Sequence, residues 1–227
     1  MPPITPNLRD LGGLRTADGH AVRPHRVLRS AVPSADDVAP GSIAWPPSLV
    51  IDLRSPTESE AVHPLTGAGA RVVNLPLLSA LRPGEQAQDL AELYLRVLEH
   101  AAHHLVELVR EVGAAPGPTL VHCAAGKDRT GVSIALLLRL VGVPRDVVLA
   151  DYLLTADAEA DIIARLSRSA GHERRQSLPA SFFDVSADAI DGVLDVWDDH
   201  RGGVVGWYHD VGGRREHLDL LRRTLVS

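Results

Sequence analysis

The sequence predicts an α/β fold, with a central, mostly parallel sheet flanked by helices and a helical C-terminal third. Three observations carry that prediction. Short apolar runs rich in branched residues alternate with a segment of helical period. One of these runs, TLVHC, passes through a loop of small residues into a stretch that is apolar nearly all round. From about Asp157 onward the pattern is one of helices and loops.

The elements follow in chain order. HRVLRSAV is the weakest of the strand-like runs; SLVIDL, RVVNLPL and TLVHC are stronger, each bounded by Pro, Gly, Ser or charge. Between the last two, Leu90, Leu93, Tyr94, Val97, Leu98, Ala101, Leu105, Leu108 and Val112 recur at three- and four-residue spacing, which predicts an amphipathic helix. RTGVSIALLLRLVG reads as a buried helix that stops at Gly142, ahead of Pro144, and PRDVVLADYL starts the next with proline at its first position. Ile190, Val193, Leu194 and Trp197 mark a later helix, REHLDLLRRTLV a last one, and AGHERRQSLPAS is the most loop-like interior stretch. No fixed-period repeat or low-complexity run interrupts the chain, so residues 1–227 are expected to form one domain.

Composition narrows the function. Acidic residues outnumber basic ones by 29 to 23, which argues against nucleic acid as a partner while leaving room for a local basic pocket. A single cysteine excludes a disulfide framework and a Cys-rich metal site. No basic stretch leads into an apolar run at the N-terminus, and no run approaches the roughly 20 residues of a membrane span. The expectation is a soluble, cytoplasmic protein without integral membrane contact, with export lacking a classical signal left open. Its oligomeric state is also open.

The segment LVHCAAGKDRTGVSIALLL implies a strand ending at His122, a tight loop, and a helix beginning near Arg129. Backbone N–H groups in such a loop converge on an anion, and the helix start adds its unpaired N–H groups and positive dipole end. Ala124, Ala125 and Gly126 let the backbone come close to a phosphate. A free thiol titrates at about 8.5, and helix N-termini and nearby cations lower it, so Cys123 is expected as a thiolate nucleophile. Arg129, six positions on, has the planar fork to hold two phosphoryl oxygens. Positioning and charge of this kind suffice for phosphoryl transfer, so neither cofactor nor metal is expected. His122 is placed to orient the loop or tune the thiolate, and the Thr130 hydroxyl to stabilise sulfur as phosphate leaves.

A proton donor is also needed. Asp52, at the end of SLVI, stands where α/β sites collect, with a structural pairing to Arg54 as its alternative. Asp128, inside the loop, either orients Arg129 or water, or only balances Lys127. Lys127 itself, beside the phosphate pocket, favours a substrate with further phosphates, or is a solvated loop tip; Arg54 and Arg29 are candidates to extend a basic rim. Asp10 is expected to tie down the N-terminal segment. His100, His103 and His104 share a helix face with Arg96, Glu99 and Glu107, which reads as solvated surface more readily than as a metal site.

The loop HCAAGKDRTG resembles the signature of the cysteine-dependent protein tyrosine phosphatase superfamily, and its Lys127–Asp128 pair resembles the bacterial atypical lipid-phosphatase group. NLRDLGGLRT, HRVLRSAVPS, VIDLRSPTE and VVLADYLLT stand in the order that group shows, and GGVVGWYHDVGG faintly echoes its C-terminal region. The resemblance implies a tyrosine-phosphatase-like fold and a phosphomonoester hydrolase that works through a phosphocysteine on Cys123, with Arg129 as clamp. It places an acidic role on Asp52. Other members carry the acid some thirty-odd residues before the nucleophile, nearest Asp89 here, although Asp89 also suits a helix start. The implied substrates are phosphotyrosine proteins, with phosphoserine, phosphothreonine and phosphoinositides as extensions, and residues 157–200 are a candidate lid or a second packing layer. Two other classes use similar parts: a catalytically silent phosphate-binding module, and thiolate redox or sulfur transfer, for which no second cysteine is present.

Overall fold

The computed structural model describes residues 4–78, 87–167 and 184–227. Five strands form one sheet: β1 (Arg9–Asp10), β2 (Val27–Ser30), β3 (Leu49–Asp52), β4 (Arg71–Asn74) and β5 (Thr119–His122). Their order is β1-β2-β5-β3-β4, with β1 antiparallel and the other pairings parallel. The register matters most for function. Ser30, His122, Asp52 and Asn74 stand side by side at the carboxyl ends of the four parallel strands, the edge at which ligands bind in open α/β sheets.

Strand residues alternate between two apolar layers because successive side chains point to opposite faces. Val27, Leu49, Ile51 and Val121 join the main core, while Leu28, Val50 and Leu120 meet Leu65, Ala70, Ile43 and Trp45 on the other side. Among the described residues that second face is closed by irregular chain and a 3₁₀ turn at Thr66–Ala68. The main face carries α1 (Leu90–His100), α2 (Ala102–Ala114), α3 (Asp128–Leu140) and α4 (Arg145–Leu153). After α4 come a 3₁₀ turn (Leu154–Ala158), α5 (Glu159–Leu166), α6 (Ala187–Asp198), α7 (Gly203–Asp210) and α8 (Arg215–Leu225).

Helix α3 is the central one, and the expected all-round burial is present: from Arg129 to Leu138 every residue is buried. It ends where Gly142 takes φ of +91°, as the Gly-Val-Pro stop predicts. The long helix expected from Leu90 to Val112 is instead two, broken at Ala101, whose φ and ψ of −114° and 15° leave the helical region. The break turns one apolar stripe toward two partners, since α1 packs on α6 and α2 on α8. Helix α7 lies within GGVVGWYHDVGG, where glycines lower helix propensity. Packing compensates, because the Trp207 ring lies 5.6 Å from that of Trp197 and Tyr208 is fully buried. The AGHERRQSLPAS stretch lies outside the described residues.

Candidate active site

The β5–α3 loop is pinned from behind. Gly126 has φ of +68° and packs so tightly on β2 that a Cβ there would lie 2.3 Å from the Ser30 carbonyl carbon. Its own carbonyl accepts from Arg29 Nη2 and Asn7 Nδ2, each at 2.9 Å. Arg29 is 1% exposed and donates to Asp151 at 2.6 Å, and Asp151 also accepts from Arg9 at 2.8 Å. Burial works against an ionised Asp151, but the two guanidiniums outweigh it and hold its pKa below the ordinary carboxylate value. Arg29 is therefore a buttress behind the loop, not part of a basic rim.

On the inner side, Cys123 lies at the base of the loop, 1% exposed. Among the described residues, the backbone N–H groups of Ala124, Ala125, Gly126, Asp128 and Arg129 donate to no protein acceptor. They are the donors an anion cradle requires. Thr130 follows, and its buried hydroxyl likewise has no partner. The Arg129 guanidinium is held by a residue that sequence reasoning missed: Glu58 accepts from Nη1 at 2.7 Å and from Nη2 at 2.8 Å. Burial disfavours the charge on Arg129, yet the Cys123 sulfur and Glu58 raise its pKa above the usual value. Burial similarly opposes Glu58, whose carboxyl is nonetheless brought to about 2 by Arg129 and by donors from Ser55. The Ser55 N–H and hydroxyl reach Glu58 Oε2 at 3.0 and 2.8 Å, so Ser-Pro-Thr-Glu closes on itself like a capping box, the local signal that places this glutamate.

Asp52 sits at the strand end as expected, but its surroundings do not suit a proton donor. Arg54 grips both carboxylate oxygens, Nε to Oδ1 at 3.0 Å and Nη2 to Oδ2 at 2.8 Å, and its backbone N–H adds a third bond at 3.0 Å. Burial alone would raise the carboxyl; His122 and Arg54 bring it down to about 2 instead. A carboxylate so held has no proton to give near neutrality, and Arg54, spent on it, does not extend a basic rim. Beside it, His122 is buried, with Nδ1 3.0 Å from the Cys123 carbonyl oxygen and Nε2 2.9 Å from Nε2 of His63, a second residue that no sequence pattern singled out.

Asp128 stands at the mouth, its side chain 22% exposed. Its Oδ1 accepts from Lys127 Nζ at 2.6 Å and from the Tyr94 hydroxyl at 2.7 Å. The Tyr94 hydroxyl has one hydrogen, so the Tyr152 hydroxyl, 2.8 Å away, donates to it. Burial and the Asp128 charge raise both tyrosine pKa values. Lys127 also donates to the Asp184 carbonyl at 2.9 Å, so it is a buried, bonded residue and not a free loop tip. The remaining candidates lie in other roles. Asp89 caps α1 through the Glu92 N–H, and Asp10 ties the N-terminal segment to Gly12 and His25. His100 and His103 are exposed on the α1–α2 surface.

Comparison with known proteins agrees with this site. A model of the tyrosine phosphatase family matches residues 3–227. A protein of Cupriavidus necator named as a candidate tyrosine-protein phosphatase is 32% identical over 222 residues, spanning 90% of this chain and 81% of its own. The triple specificity protein phosphatase PtpB of Mycobacterium tuberculosis is 34% identical over 141 residues, 57% of this chain and 50% of that one. A tyrosine-protein phosphatase of Nostoc commune is 28% identical over 141 residues, 59% and 48% respectively. A cysteine at the base of an N–H-lined loop, an aimed arginine, and a family match along nearly the whole length lead to one conclusion: the chain belongs to the tyrosine phosphatase family and is a phosphatase.

Proposed function

We propose that Cys123 attacks the phosphorus of a phosphomonoester, forming an S–P bond as the P–O bond to the leaving group breaks. The loop N–H groups of residues 124–129 and the Arg129 fork hold the equatorial oxygens, which is where charge must be met. Asp128 delivers the proton to the departing oxygen and then takes one from the water that hydrolyses phosphocysteine, returning the thiolate and releasing phosphate. Lys127, now on Asp128, turns toward the incoming dianion and adds a second cation beside it. The unpartnered Thr130 hydroxyl stabilises sulfur as it is expelled. The observation that carries the reading is Arg129, held two-pronged by Glu58 beside Cys123.

The substrates proposed are phosphotyrosine proteins, with phosphoserine, phosphothreonine and phosphoinositides in addition. Lys127 at the loop and the triple specificity in the name of the mycobacterial relative support that breadth. Of the candidate lid 157–200, residues 168–183 lie outside the described residues and α6 is packed into the main core, so the lid proposed within a single domain is the α5 segment, whose Ile162 and Leu166 pack with Ala124 of the loop. No helix among the described residues is long and apolar enough to cross a membrane, and a reduced thiol suits the cytoplasm. The test is kcat/KM of the purified protein on phosphotyrosine, phosphoserine and phosphoinositide substrates with EDTA present. Cys123→Ser is expected to abolish turnover of all three while the fold persists; turnover that survives it would overturn the mechanism.

A further inference from the structure

His63 lies in the segment between β3 and the Thr66 turn, buried against His122 with their Nε2 atoms 2.9 Å apart. One nitrogen must donate and the other accept. The Leu65 backbone N–H lies 3.2 Å from His63 Nδ1, and an amide N–H can only donate. Nδ1 therefore carries the lone pair, and the proton of the neutral His63 ring sits on Nε2, aimed at His122. That leaves His122 with its proton on Nδ1, 3.0 Å from the Cys123 carbonyl oxygen, which can only accept. Each link has one permitted sense, running from Leu65 N–H through His63 and His122 to the backbone of Cys123. Burial keeps both rings neutral, lowering His63 to about 4 and His122 below its ordinary value.

We propose that His63 is a positioning residue that fixes the tautomer of His122 and through it holds the Cys123 carbonyl, and with it the shape of the phosphate loop. The proposal rests on Cys123 being the nucleophile. The competing partner for His122 Nε2 is Asp52 Oδ1, 3.9 Å away. Without a donor from His63, an Nε2–H tautomer drawn to that carboxylate would set the Nδ1 lone pair against the Cys123 carbonyl, two acceptors face to face. His63 prevents this because it is nearer and because Arg54 occupies the Asp52 oxygens.

The ligand atoms of Asp52, His63 and His122 also lie within 4.8 Å of one another, as around a metal ion. An ion would need the Nε2 lone pairs of both rings, which puts a proton on His63 Nδ1 facing the Leu65 N–H. The donor set thus fits a relay and not an ion.

Long-range proton–nitrogen NMR of the full chain, labelled with ¹⁵N-histidine at pH 7, tests the relay independently of activity. His122 is expected with Nδ1 protonated and His63 with Nε2 protonated. Glutamine offers an N–H donor and an oxygen acceptor at the same two places, so His63→Gln should keep the His122 tautomer and stay within about threefold of the wild-type kcat. His63→Leu should flip His122 and lower kcat by about tenfold or more, as losing the orienter of a site histidine does. Nε2-protonated His122 in the wild type, a Gln variant as damaged as the Leu variant, or an unchanged tautomer and kcat in His63→Leu would each overturn the proposal, as would stoichiometric zinc in the purified chain. Should His63→Leu fail to fold, the wild-type spectrum and the Gln variant still decide. Cys123→Ser serves as the control: activity surviving in it, with the tautomers as expected, refutes the nucleophile and not the relay.

Discussion

Arg129 serves a phosphate only while its fork faces the anion, and Glu58 is what turns it. Glu58→Gln removes the charge that grips both Nη atoms, and kcat/KM for p-nitrophenyl phosphate should fall by about ten- to a hundredfold, the scale of a slight misplacement at a reacting centre. Unchanged steady-state constants would mean that Arg129 aims itself. The two candidate aspartates separate by leaving group and by stability. Asp128→Asn should cost about 10² or more in kcat with alkyl phosphates and much less with p-nitrophenyl phosphate, whose leaving group scarcely needs a proton. Asp52→Asn strands the buried Arg54 guanidinium, so about 3 kcal/mol of unfolding free energy should go, measured by urea titration. A leaving-group dependence confined to Asp52→Asn would reverse these roles.

At the scale of elements, the loop is rigid because β2 forbids it to be otherwise. In Gly126→Ala the new methyl would occupy the Ser30 backbone, where nothing can move aside cheaply, and φ of +68° is strained for alanine. The variant should lose about 1–3 kcal/mol of stability and at least tenfold in kcat/KM; parity with wild type in both assays would show that the contact yields. Much of this was legible in the residues. Branched apolar runs marked four strands, and the sequence from His122 through Thr130 announced a cradle ahead of a buried helix. The two-residue β1, the break at Ala101 and the glycine-rich α7 were not, because tertiary packing decides each of them: no Pro or Gly marks Ala101, and propensity argues against α7. Within the site, Glu58 and His63 were hidden because each acts through a partner more than fifty positions away.

For the whole molecule, these buried groups make stability fall with acid in two overlapping stages. His63 titrates at about 4 in the fold and near 6.5 when exposed, so between those values the unfolded chain binds its proton first and the folded state loses ground as pH drops. Asp52 and Glu58, both held to about 2, stabilise the fold above their ordinary values of 3.8 and 4.5, and that contribution drains away toward pH 2. Urea unfolding at a series of pH values should show the upper stage shrink in His63→Gln, the buried His122 supplying what is left of it, and the lower one remain; a flat profile from 6.5 to 4 in the wild type would contradict a buried neutral His63. The solitary cysteine has a last consequence, in redox terms. A peroxide that converts Cys123 to its sulfenic acid meets no second thiol among these 227 residues, so the oxidised sulfur has no intramolecular disulfide in which to wait. Recovery then depends on a thiol from solution reaching a sulfur that is 1% exposed, and further oxidation to sulfinic acid competes with that rescue.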